Sequence, residues 1–413
     1  MADGLSGKEI KAVYETLVKD PSVKKALDFI HRDHENTIAD QIAITEIPAP
    51  PFKEQQRAED FQRRLEELGL EKVEMDAEGN VYGVRPGSGK GPKLFVSAHL
   101  DTVFPEGTDT SVRKEDGILY APGIGDDTRG LAELLAVVRA LNEAGIETVG
   151  DLVFGGTVGE EGAGDLRGVK AFFAEHRDID GFLSLDGPGF NHITYLGTGS
   201  FRYTITYKGP GGHSFGDFGT PSATHALGRA IAAIADLETP EQPKTTFSVG
   251  EVKGGTSVNA IAQEASMAVD LRSNDAAALE ELDNKFLAIV EKAAEAENAK
   301  WKDNRITVDI KRFGNRSPGS QSADAPIVQV TCAAVEAIGG IPKLETPSST
   351  DANHPMSLGI PAITIGLGGT FGGAHTLEEW HNPKDGHLGI QKSLMTILGL
   401  AGVQNTSPAL LAK

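Results

Sequence analysis

Cysteine is almost missing from this chain: Cys332 stands alone in 413 residues. One thiol excludes an intrachain disulfide framework and a thiolate-rich metal site. Its segment, IVQVTCAAVEAIGG, has helical spacing, so Cys332 reads as a core residue rather than a reactive one. Long apolar runs are missing too. No window reaches the roughly 18 apolar residues of a membrane span. The opening stretch, MADGLSGKEIKAVYETLVKD, has no apolar segment of signal-peptide length, which makes the cytoplasm the expected location. Positive charge is scarce, with 39 Lys and Arg against 59 Asp and Glu and a net charge of -20. Nucleic acids and anionic membranes are therefore excluded as expected partners. Short repeats and low-complexity tracts are absent as well.

What is present is an ordered series of acids and imidazoles, several of them where an apolar run stops. LFVSAHLD reads as a strand over Leu94 to Ala98 with His99 and Asp101 at its mouth. DLVFGGTVGEEG and GFLSLDGPG repeat that pattern with Glu160, Glu161 and Asp186, while Asp126 and Asp127 precede a helix and His375 lies far downstream. In an open α/β sheet, ligands bind at the carboxyl ends of the strands. Imidazole nitrogens among carboxylate oxygens suit Zn²⁺, Co²⁺ or Mn²⁺. Each piece has a plainer reading. His-x-Asp can be a hydrogen-bonded pair, the doublets can be solvated acids, Asp127 can cap the helix behind it, and Asp186 can be a turn acid.

The first part of the chain alternates strand and helix. GLAELLAVVRALNEAG places Leu131, Leu134, Leu135, Val138 and Leu141 on one helical face. Strands near 152–157 and 182–185 flank a helix near 167–175. This is α/β architecture: a mostly parallel sheet with helices on both faces. After Gly199 the period changes to two, Phe201, Tyr203, Ile205 and Tyr207 alternating with polar residues. Helices near 222–237 and 276–297 and strands near 246–252, 266–272 and 306–310 follow, giving the β-α-β-β-α-β order of a ferredoxin-like domain. RFGNRSPGSQSADAP reads as the linker back. The expected division is a catalytic domain over 1–199 and 317–413 with an inserted lid or dimerisation domain over 200–316.

Taken together and in order, SAHLDTV, GIGDDTRG, TVGEEGAGD, SLDGPG, GPGGHS and GAHTLEEW resemble the M20 metallopeptidase family, from about Ile42 to His381. The resemblance implies a site with two divalent ions, zinc first, with cobalt or manganese as substitutes. It assigns His99 and Asp186 to one ion, Glu161 and His375 to the other, and Asp126 to both. Asp101 would fix the His99 ring, Glu160 would be the general base, and Glu379 would orient His375. The Asp126-Asp127 bond would be cis. His213 matches a lid histidine that stabilises the oxyanion in a partner subunit, which implies a homodimer joined through the inserted domain. Asn259 and Arg272 match substrate contacts, with a surface salt bridge as the plainer alternative for Arg272.

The implied reaction is hydrolysis of amide bonds in short peptides by an aminopeptidase or dipeptidase. An N-acyl-amino-acid amidohydrolase or carboxypeptidase is the alternative, and a catalytically silent metal-binding scaffold is the alternative of another class. Three other motifs fail. RPGSGKGPK lacks the Ser or Thr after Lys of a phosphate loop and leads into a strand. In GIGDDTRG, Thr128 stands where a dinucleotide loop has its third glycine. GHSFG around Ser214 spells a nucleophile elbow, but a Gly-rich loop follows instead of a helix.

Overall fold

The structure is a computed structural model that describes residues 6–413, in two units. One runs to Gly197 and resumes at Ser320; the other is Thr198–Gly319. The second is thus inserted into the first along the chain, with edges slightly outside 200–316.

The first unit is built on an eight-stranded sheet in the order Glu71–Met75, Val81–Arg85, Asp151–Thr157, Lys93–His99, Gly181–Pro188, Ala362–Leu367, His192–Thr194, Lys343–Leu344. The four central strands run parallel, and antiparallel pairings flank them on both sides. Side chains alternate across a strand, and here both faces are apolar. Leu94, Val96 and Ala98 join one core with Leu152, Phe154, Leu183 and Leu185. Phe95, Val153 and Phe182 point the other way, into a separate cluster with Phe172 and Phe173 of the helix Arg167–Glu175. Phe95 stacks on Phe172 at 4.0 Å between ring centroids. Phe95→Ala is expected to cost about 3–5 kcal/mol through lost burial and the cavity left behind; denaturant unfolding measures it.

The helix Thr128–Ala144 departs from its amphipathic pattern, being buried nearly all round. It packs on the sheet and on the helices Pro21–Arg32, His34–Thr45 and His387–Ala401. Its polar residues Arg129 and Glu133 are fully buried as an ion pair 3.0 Å apart. A second, small sheet of Arg113–Glu115, Ile118–Tyr120, Trp380–Asn382 and Thr370–Gly372 has no counterpart in the sequence patterns. It joins the segment before Asp126 to the segment around His375.

The second unit has the expected ferredoxin-like order. Its antiparallel sheet runs Thr245–Gly254, Glu264–Ser273, Gly199–Lys208, Thr307–Arg316. Phe201, Tyr203, Ile205 and Tyr207 turn inward against Leu227 and Ile234 of the helix Ala223–Ala235 and Phe286 and Val290 of Ala276–Trp301. The stretch read as a linker begins later than composition suggests. Residues 312–316 continue the last strand and pair with residues 200–203. Gly314 sits at a register shift there, where a Cβ would come within 2.9 Å of Arg202, so glycine marks a bulge and not the end of the strand. Among the described residues, no helix is long and apolar enough to cross a membrane.

Candidate metal centre

The parallel strands deliver their functional residues to one edge of the sheet. His99 is the last residue of Lys93–His99 and is buried. Its Nε2 lies 2.9 Å from Asp126 Oδ1 and its Nδ1 lies 3.0 Å from the Asp101 carbonyl oxygen. A carbonyl only accepts, so Nδ1 carries a proton, and loss of the Nε2 proton would leave a lone pair directed at Asp126. The Asp101 carboxylate also faces the ring, 3.6 Å from Nδ1, and its two oxygens accept the backbone amides of Glu160 at 3.0 Å and Glu161 at 2.9 Å. One buried acid therefore sets the position of the whole Glu-Glu doublet.

Asp126 lies between two imidazoles. Oδ1 meets His99, and Oδ2 is 3.2 Å from His375 Nε2, which is also 2.8 Å from Glu161 Oε1. Burial acts to raise the Asp126 carboxyl, but the His375 and His99 hydrogen bonds outweigh it and hold it below the usual range. His375 is raised to about 10 by its bonds to Asp126 and Glu161. It sits at φ 66°, in the turn between Thr370–Gly372 and Trp380–Asn382.

The Asp126-Asp127 peptide bond is cis. Asp127 occupies the N-cap position of its helix but makes no side-chain cap; its Oδ2 accepts the His99 amide at 2.9 Å instead. Burial pushes its carboxyl up. Asp186 lies inside the strand Gly181–Pro188 rather than beyond its end, and burial, with the Asp126 charge added, pushes it up to about 7.

Two sets of donor atoms converge, each within 4.8 Å: His99, Asp126 and Glu161, and His99, Asp127 and Asp186. The second set contains Asp127, which the sequence patterns offered only as a cap. Its Oδ1 is buried without a hydrogen-bond partner. Nitrogen and carboxylate donors of this kind fit a divalent Zn²⁺, Co²⁺ or Mn²⁺ ion, and so many gathered carboxylates need cationic charge to coexist.

Two further residues support the centre through backbone groups, Glu379 otherwise than the resemblance implies and Arg57 with no sequence signal. Glu379, wholly buried, accepts the amides of Gly123, Gly125 and Asp126 at 2.9, 2.8 and 2.9 Å. Its carboxylate thus serves the Asp126 turn, not His375. Burial raises it to about 7 against the pull of those bonds. Arg57, also wholly buried, donates to the carbonyls of Ile47 and Leu100, the latter between His99 and Asp101.

His213, Asn259 and Arg272 belong to the second unit. His213 is exposed on a two-residue ladder, Gly212–His213 against Ala260–Ile261, and the neighbouring Asn259 carbonyl accepts the Ser214 amide. His213 Nδ1 accepts the amides of Gly216 and Phe215, at 3.1 and 3.3 Å. Arg272 is apart from them and pairs with Asp270 at 2.6 Å.

The chain is similar to known proteins in sequence and in fold. The model of peptidase family M20/M25/M40 matches residues 95–397. The chain is 26% identical over 343 residues to a succinyl-diaminopimelate desuccinylase of Corynebacterium glutamicum, spanning 80% of this chain and 89% of that one. In structure it is similar to the aminopeptidase PepT from Bacillus cereus, with a TM-score of 0.73, 22% identity and coverage of 88% of this chain and 98% of that one. A tripeptidase from Staphylococcus aureus gives a TM-score of 0.74, 21% identity and coverage of 88% and 97%.

Proposed function

This chain belongs to peptidase family M20/M25/M40 and is a metal-dependent hydrolase, and from that premise we propose that it is an aminopeptidase or dipeptidase acting on short peptides through two divalent ions, zinc first. The observation that carries the two-ion reading is the Asp126 carboxylate, which offers one oxygen on the His99 side and the other on the His375 side. His99 with Asp186 or Asp127 would hold one ion, and Glu161 with His375 the other. Bound there, such ions supply Lewis acidity, polarising the scissile carbonyl and making water easier to deprotonate.

The chain's own residues do the rest. Glu160, fixed through its amide by Asp101, takes a proton from the attacking water and returns it to the departing amine. His213 donates to the developing oxyanion. Its Nδ1 accepts two amides, which puts the proton on Nε2, the nitrogen such a donor needs. A homodimer joined through the second unit is the assembly proposed to present it.

A second reading, an N-acyl-amino-acid amidohydrolase or carboxypeptidase, is favoured by the likeness to the desuccinylase and would use Arg272 on a substrate carboxylate. The pairing of Arg272 with Asp270 counts against it. Free-amine tripeptides are expected to be cleaved with kcat/KM at least about tenfold above their N-acetylated forms, a difference of about 1.4 kcal/mol. The reverse preference in that panel would select the second reading.

A further inference from the structure

Glu379 reaches across to the Asp126 turn, a segment about 250 residues away in the chain. The turn from Gly373 to Glu379 is tied internally by Thr376, whose amide and hydroxyl both donate to the Gly373 carbonyl at 3.0 and 2.7 Å. It presents His375 in its middle and Glu379 at its end. The Glu379 carbonyl accepts the Ala121 amide at 3.1 Å, and the strand that follows pairs Trp380 with Tyr120 and His381 with Leu119. The carboxylate then continues that pairing where the backbone of the opposite segment turns away. Oε2 takes the Gly123 amide, and Oε1 takes those of Gly125 and Asp126. Gly125 leaves no room for a side chain, since a Cβ there would lie 2.7 Å from the Phe371 ring.

We propose that Glu379 is the positioning residue of this centre: by gathering three amides of the Gly123–Asp126 turn it locks that turn to the His375 turn, so that Asp126 and His375 are brought to one ion as a single rigid piece. It rests on the reading that these two residues bind a metal ion. The physical basis is the strength and geometry of charge-assisted bonds from backbone amides to a buried carboxylate. Without it, three buried donors lose their acceptor, and the turn carrying Asp126 is held to the small sheet only by backbone pairing further away. His99, Asp127 and Asp186 depend on other contacts, namely the central strands and the His99 amide, so the ion on the Glu161 and His375 side, where both the Asp126 turn and the His375 turn are loosened, suffers most, and the other ion is weakened only through Asp126.

Glu379→Gln is the test, because it keeps the shape and removes one acceptor oxygen. Glu379→Asp is the companion variant; it keeps the charge and is too short to reach all three amides. In the metal-free full-length protein, hydrogen exchange at the Gly123, Gly125 and Asp126 amides is expected to speed up at least about tenfold in both variants, with exchange in Lys93–His99 unchanged. In Co²⁺ titrations followed by visible absorption, wild type is expected to take up two ions. The variants should bind the ion on the His375 side about 10–100-fold more weakly and the other ion with a distinctly smaller loss. Unchanged amide exchange, or equal weakening of both ions, would overturn the proposal while leaving the two-ion reading intact. Failure of wild type to bind Co²⁺ would overturn both together.

Discussion

Glu160→Gln is expected to fold, to bind its metal ions as wild type does, and to lose about 10²–10⁴-fold in kcat, the range of a general base. The geometry separates these effects. Glu160 is placed by its backbone amide, which donates to Asp101, so the exchange of one side-chain oxygen for nitrogen leaves the position of the doublet alone. Glu161 is held by the other Asp101 oxygen and keeps its contact with His375. What disappears is the ability to accept a proton. Metal content by mass spectrometry and steady-state rates on the best peptide decide the matter; turnover within about tenfold of wild type would remove Glu160 from the mechanism.

Asp126→Ala is expected to do the opposite, taking the ions and the activity together. A single carboxylate faces both imidazoles, so its loss deprives both proposed sites of a ligand at once. Glu161→Ala or His375→Ala, by contrast, should weaken one site and spare the other. After dialysis against a mild chelator, wild type should retain about two ions per chain and Asp126→Ala fewer than one. Retention of both by the variant would show that Asp126 bridges nothing.

Much of this could be read from the chain, and the exceptions have a common cause. His99, Glu160 and Glu161 are legible because an apolar run ends beside them, and the period-two pattern of Phe201 to Tyr207 reports a sheet with one buried face. The partners of Glu379 and the whole role of Arg57 are not legible, because those partners are backbone amides and carbonyls, which every residue has. Arg57, in QQRAEDFQRR, looks like any solvated arginine of a polar helix, yet it is wholly buried. Asp127 was hidden by a sound local rule: an acid before a helix usually caps it, and only the distant His99 amide draws it elsewhere. Composition sets the start of the linker too early because Gly314 marks a bulge as readily as a strand end.

The order of the sheet also bears on synthesis. Ala362–Leu367, among the last strands to be made, lies between Gly181–Pro188 and His192–Thr194. A ribosome must therefore release the whole of Thr198–Gly319 before the older sheet can be completed. The four sheet strands of that later-born insert all lie within one unbroken stretch of chain, Gly199 to Arg316, so it can close while its host still waits. During that interval the acids of residues 99–186 stand without His375 or Glu379, and the nascent chain carries their repulsion until its final quarter arrives.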